Sequence, residues 1–502
     1  MAQIPLMRQL LLLVPIAALV CVSPDLAVAQ SDQPVREAWD AIYVGDTKVG
    51  SMHLWIKPVK DSRGRELMNV RVDYDISFQR GKDTAQIKLL YGTIETPEGQ
   101  VLRLDTRTQA SGEDIRTYGD VSNAAMKLIL EVGGQKRQIE IPWGEDVRGP
   151  YGSEMSLARE PLKPGESRSV RTYIPDLNKV CLTTLKALEF ENVPLGPQAE
   201  KHNLLRVQST VADQDGKEIP SLESTLWVDG TGQIMKSFSK LLGGMWTYRT
   251  TKAGAMARNA GKFKLLEASI IRTPQPMTGS EKFRQVAYRL TGVEAQRLFP
   301  ADQRQTFTAN PNGEPLLLVK TESPEAGAPS TVLPGKEYFE PNPLINSADP
   351  QVIKHTRAAV GQITDPWKKA VAIQDWVFHN MKRKNFSTAF APADEVARQL
   401  SGDCTEHGVL TAAMCRAAGI PARCVVGLVY AGSLGGFGPH MWNEVFVNQR
   451  WVAIDATFNQ FEVDATHLKL NDTSLDGVAP FESFLPVLEV LDSLKIEPVE
   501  VR

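Results

Sequence analysis

Cysteine is scarce in this chain, with five in 502 residues. Cys21 lies in an N-terminal apolar run, which leaves Cys181, Cys404, Cys415 and Cys424. No C-x-x-C pair occurs, so a structural zinc site is not expected, and four thiols are too few for a disulfide scaffold. Cys404 and Cys415 share one helical segment, where eleven residues span about 16 Å, beyond disulfide reach; a Cys415–Cys424 bridge is conceivable but unforced. An excess of one charge is also missing. Fifty-six Lys and Arg oppose 59 Asp and Glu, a net charge of −3, which gives no reason to expect nucleic acid or an anionic membrane as partner. Beyond the N-terminus no apolar run of 18 residues occurs, so no transmembrane span is expected after signal removal. The loop "AGSLGGFGP" lacks the Lys-Ser/Thr of a phosphate cradle. Clustered carboxylates of the calcium-loop type are absent as well. No cofactor and no metal are therefore expected.

The N-terminus reads as a targeting segment. Arg8 precedes "LLLVPIAALVCV", and small residues at Ala27 and Ala29 mark a cleavage site before Gln30. Residues 1–29 are read as a secretory signal peptide, so the protein is expected to be exported, to the periplasm or cell envelope.

Residues 30–285 are rich in short alternating runs separated by turn residues. "WDAIYVGDTKVGSMHLWI" gives two strands around a Gly45–Lys48 hairpin signal. "NVRVDYDISFQ", "AQIKLLYGTIET", "SRSVRTYIP", "NLLRVQSTVAD", "STLWVDG" and "KFKLLEASII" read as further strands. The spacing predicts a large antiparallel sheet or half-barrel, whose open face would suit a cell-envelope partner or an apolar ligand. His53 and His202 are isolated and read as structural. Residues 286–345 form a small β extension and a Pro-rich linker. A second domain follows at 346–475, with a C-terminal tail at 476–502 packed on it.

Within the second domain, Asp365 and Pro366 start a helix whose apolar face includes Trp367, Ala370, Val371, Val377, Phe378 and Met381, and Lys382–Lys384 suit its C-terminal end. In "SGDCTEHGVLTAAMCRAAGIPAR", Asp403 and Glu406 form the capping-box pattern, while Gly419 and Pro421 end the helix. Cys404 is then the first helical residue, where free backbone N–H groups and the dipole favour a thiolate. Asp403 works against that charge, so an imidazole partner is required. Downstream, "HMWNEVFV" and "RWVAIDAT" flank Asn448-Gln449. A two-residue turn there places His440 opposite Thr457 and diagonal to Asp455, about 7–8 Å apart at Cα. Nucleophile, base and orienting acid are thereby available in Cys404, His440 and Asp455. His407 lies one turn from Cys404 but has no orienting partner. Gln399 is a candidate second oxyanion donor. Trp442 and Glu444, on the strand face of His440, read as packing or support, and His467 as structural. The glycine loop at 431–439 reads as a mobile groove wall.

The motifs "GDCTEHGVLTAAMCRAAGIPARCVVG", "HMWNEVFVNQRW" and "DAT" resemble the bacterial transglutaminase-like superfamily. Met441 stands where alanine is common, and Ala456 where proline is common. The resemblance covers about residues 350–470 and implies a papain-like α+β domain after the β-rich region, an α+β chain overall. It also implies that Cys404, His440 and Asp455 are catalytic. The reaction expected is acyl transfer or hydrolysis at a protein or peptide amide through a thioester. Relatives also include inactive scaffolds, so a non-catalytic cell-envelope binding or assembly protein is the alternative.

Overall fold

The computed structural model describes residues 34–502, apart from short segments at 81–82, 111–112, 133–134, 198, 241–243, 258–262, 326–328, 331, 382–390 and 477–479. The signal segment and Lys382–Lys384 lie outside the described residues. The chain divides into two compact units, with the border between residues 265 and 266.

The first unit is built on a 15-stranded sheet. Eight strands, from Arg36–Val44 to Gln135–Pro142, follow one another as antiparallel neighbours. The chain then passes to the opposite edge and returns strand by strand until Met245–Thr250 pairs with Arg36–Val44. Val44 pairs with Thr47, so Gly45 and Asp46 make the first hairpin turn as expected. Alternation places one side-chain set inward. Leu185, Ala187, Leu205, Val207, Leu226 and Val228 form an apolar core there, joined by Leu157 of the helix Pro150–Arg159. One expectation fails. "KFKLLEASII" contains a short helix, Leu265–Ala268, and only Ile271–Arg272 is a strand. Its Lys-Leu-Leu-Glu-Ala stretch is helix-favouring, and pairing is limited to an isolated bridge between Lys264 and Gln79.

The second unit holds two small sheets and a helical layer. In one sheet the order is Ile271–Arg272, Gly436–Val447, Ala422–Ala431, His467–Thr473, with Arg450–Ile454 also paired to Gly436–Val447. The other sheet runs Gln305–Ala309, Pro315–Lys320, Gln285–Thr291, Lys495–Val501. The helix Cys404–Ala417 lies on the first sheet, and every residue from Cys404 to Arg416 is buried. The helices Pro350–Val360, Pro366–Asn380 and Ala393–Gln399 pack around it. Its small and apolar residues, three alanines with Val409, Leu410 and Met414, suit a helix buried on all sides. The Pro366–Asn380 helix has Asp365 as N-cap and Pro366 in its first turn, as expected. Among the described residues no helix is long and apolar enough to cross a membrane.

Candidate active site

Each member of the predicted trio is placed by local sequence. The Asp403 carboxylate accepts from the Thr405 N–H at 2.9 Å, while Glu406 accepts from the Asp403 N–H at 2.8 Å. This reciprocal cap fixes Cys404 at the helix start. Gly402 precedes it at φ +143°, and a Cβ there would lie 2.4 Å from the Glu406 Cβ, so the position requires glycine. Asn448 and Gln449 both have positive φ, +48° and +60°, as a type I′ turn demands. Val447 pairs with Arg450, and Asn443 with Ile454, which is the register expected from the sequence.

That register brings His440 and Asp455 together. Nε2 of His440 lies 2.7 Å from Oδ2 of Asp455, and both side chains are fully buried. Nδ1 of His440 makes no hydrogen bond. Cys404 sits on the same strand, because its sulfur accepts the backbone N–H of Met441, the residue after His440. The His440 ring is held by Phe458, at 4.9 Å between centroids, and by a stacked Trp442 at 6.1 Å. Gly427 faces His440 across the sheet; a Cβ there would meet the Leu468 carbonyl at 2.0 Å and the Trp442 ring at 2.9 Å. Only glycine lets these three segments close on the imidazole.

The electrostatics differ from the helix-dipole expectation. Cys404 is 1% exposed. Burial, then Asp403 and the nearby Glu406 and Asp455, push its thiol well above the usual range, against the Met441 N–H. Burial also lowers His440 in spite of Asp455. Both shifts favour the thiol and the neutral imidazole over a preformed thiolate. For Asp455 burial acts upward, but His440 and His467 outweigh it and hold the carboxyl well below its usual range.

His467 was assigned a structural part from sequence; the structure puts it at the site. Nε2 lies 3.2 Å from the same Asp455 oxygen that His440 contacts, and Nδ1 lies 3.2 Å from Oδ1 of Asp464. Both nitrogens face carboxylates, an arrangement that favours the doubly protonated, cationic ring. Burial opposes that charge, but Asp464 and Asp455 overcome it and raise the ring. The loop beneath is anchored from the other sheet: Arg304 donates to the carbonyl of Val463 at 2.7 Å, and the Tyr288 hydroxyl to that of Ala465 at 2.9 Å. A signal existed in the sequence. Asp-Ala-Thr occurs at both 455–457 and 464–466, and each Asp accepts from the Thr backbone two residues on, at 2.6 and 2.8 Å. Gln374, also missed, reaches the turn after Asp455 by donating to Asn459 at 2.8 Å.

Other candidates resolve differently. Gln399 is exposed and its amide is spent on Glu395 at 2.9 Å, so it supplies no oxyanion donor. His407 is tied by Nδ1 to the Asp403 carbonyl of its own helix at 2.6 Å. Glu444 joins a buried network, 3.0 Å from Nζ of Lys469 and paired with Arg423. Cys181, Cys404, Cys415 and Cys424 are all buried, and none of them is in a disulfide. The glycine loop is a tight hairpin: Gly436 pairs with Arg272, and a Cβ would lie 2.5 Å from the Ile271 carbonyl. The glycine admits a neighbouring strand. Ligand atoms of His440, Asp455 and His467 lie within 4.8 Å of one another, close enough for a metal ion. The two hydrogen bonds to Asp455 account for this spacing without one.

Residues 354–456 match the family model of the Transglutaminase-like superfamily. The chain thus carries a transglutaminase-like domain with a large N-terminal sheet before it. An uncharacterized protein of Haemophilus influenzae (strain Rd) is 34% identical over 97 residues, which is 18% of this chain and 26% of that protein. The match spans about a quarter of the curated relative. Among solved structures, a Cytophaga hutchinsonii protein described as a "Putative Cysteine Protease" aligns at 16% identity with a TM-score of 0.28, over 43% of this chain and 86% of that one. A beta-barrel-like protein of Brucella abortus, of a domain of unknown function, aligns at 11% identity with a TM-score of 0.29, over 43% and 95%.

Proposed function

We propose that the transglutaminase-like domain is a cysteine-dependent enzyme acting on protein or peptide amides, with Cys404 as nucleophile, His440 as base and Asp455 as orienting acid. The observation that carries this reading is the His440–Asp455 contact of 2.7 Å, with Nδ1 unengaged beside the strand residue that holds the Cys404 sulfur. The Asp455 bond makes Nε2 the protonated nitrogen and leaves Nδ1 as the acceptor. As sulfur attacks the carbonyl carbon, its proton passes to Nδ1, and Asp455 stabilises the imidazolium formed. His440 then gives that proton to the leaving amine as the C–N bond breaks, and a thioester remains on Cys404. Water resolves it to an acid, or an amine resolves it to a new amide. The Cys404 N–H, at the helix start, is a candidate oxyanion donor. Export through the 1–29 segment, to the periplasm or envelope, is part of the same proposal.

The test pairs wild type with Cys404→Ala in cell-envelope extract supplied with an amine probe. Probe incorporation by wild type alone indicates transamidation, and new termini without incorporation indicate a peptidase. If neither product depends on Cys404, the domain is a binding scaffold and the enzymatic proposal fails.

A further inference from the structure

The concave face of the N-terminal sheet encloses a cavity of about 150 Å³ whose lining mixes aliphatic side chains with buried polar atoms. The polar atoms are arranged by register. Ser209, Ser224 and Ser239 are direct cross-strand neighbours on three successive strands. Strand interiors favour branched apolar residues, so a row of serines leaves space where a core would be filled. At another part of the wall, Asp40 pairs across the sheet with Arg249, at 2.9 Å, and Glu154 of the Pro150–Arg159 helix pairs with Arg36.

These polar groups are not satisfied. Oδ2 of Asp40, Oε2 of Glu154 and Oγ of Ser239 are buried without a hydrogen-bond partner. Their residues are 3%, 8% and 3% exposed, and all three line the cavity. Buried acceptors left unpaired are destabilising, so the site is built for donors the chain does not supply. The charges point to the kind of donor. Burial pushes both carboxyls up, and each already has a guanidinium partner, Arg249 for Asp40 and Arg36 for Glu154, so as ion pairs they are balanced. An ammonium or carboxylate head would bring an uncompensated buried charge; an uncharged head with O–H or N–H donors would not. Lys236 also lines the cavity, but its Nζ lies over the rings of Trp227, its cross-strand neighbour, and Trp246, at 4.7 and 4.6 Å from their centroids, which directs its charge to those rings.

We propose that this cavity binds an uncharged amphiphile, whose hydroxyl- or amide-bearing head donates to Asp40, Glu154 and Ser239 while its hydrocarbon lies against Met52, Leu226 and Met245. Cavities of this volume hold a benzene-sized guest, so the head and first few carbons are enclosed and the rest of the chain leaves through the mouth. The proposal is independent of the enzymatic reading.

Calorimetric titration of the full chain with 1-monodecanoylglycerol, below its micellar concentration, tests it. Decanoate and decyltrimethylammonium share the chain length and differ in the head. Saturable one-to-one binding of the glyceride is expected, at least tenfold tighter than either ion. Ser239→Val is expected to weaken it about fivefold, the loss of one hydrogen bond. Absence of glyceride binding, equal binding of all three amphiphiles, or unchanged binding by Ser239→Val would overturn the proposal. Should that variant not fold, the head-group comparison on wild type decides alone.

Discussion

Replacing His467 by glutamine removes one cation from the buried chain Asp464–His467–Asp455–His440 and leaves an amide able to donate to one carboxylate. The ring centroids of His440 and His467 are 5.7 Å apart. Two unit charges at that separation repel by about 3 kcal/mol at an effective dielectric of about 20, or about two pH units. Asp455 lies between the rings and takes up part of this, so a shift of about one unit is expected. The direction is fixed: burial, Asp455 and His467 all act on His440, and His467 acts to lower it. Without that cation His440 binds a proton more readily, and its titration moves to higher pH. Long-range nitrogen–proton NMR of the imidazoles reads this directly, without a substrate. An unchanged or lowered His440 titration in His467→Gln would refute the assignment of His467 as an imidazolium. A purely structural part would alter stability without that signed shift.

His467 also makes stability depend on pH. Its titration is raised in the fold, so its contribution is complete below about pH 6.5 and is lost as pH rises through the raised value; urea unfolding of wild type and His467→Gln should differ most near pH 5 and converge in alkali. Asp455→Asn presents a donor to two N–H groups and imposes the wrong His440 tautomer. A fall in kcat/KM of about 10³–10⁴ is expected, the size seen when a triad aspartate is so changed, with little loss of fold by circular dichroism. Gly427→Ala drives a Cβ into the Leu468 carbonyl, and thermal unfolding should show a loss of about 1–3 kcal/mol or more. Prolonged EDTA treatment should leave activity unchanged; a loss restored by a divalent ion would mean that the His440, Asp455 and His467 triangle holds a metal.

Much of the site was legible because its determinants are local. The capping box at Asp403–Glu406 and the turn at Asn448–Gln449 each sit within a few residues, and turn geometry propagates along the hairpin to His440 and Asp455. What stayed hidden depends on pairing between distant segments. His467 reaches Asp455 through a strand on the far side of Ala422–Ala431, and its loop is braced by Tyr288 and Arg304 from another sheet. The balance of charge at Cys404 depends on burial for a related reason. A helix start favours a thiolate, but the sequence does not reveal that the sulfur is buried among carboxylates. The serine row of the concave face likewise exists only once strands 205–239 are in register.

The central claim is that His440 takes the proton of Cys404 as the sulfur attacks. Burial pushes the Cys415 and Cys424 thiols up to about 12 with no imidazole beside them. The most direct measurement is the site-resolved rate of iodoacetamide alkylation at pH 7 by peptide mass spectrometry, in wild type and His440→Ala. Cys404 should be alkylated fastest of the cysteines in wild type and at least tenfold more slowly in the variant. Labelling of Cys404 no faster than Cys415 and Cys424, or indifferent to His440, would contradict the account.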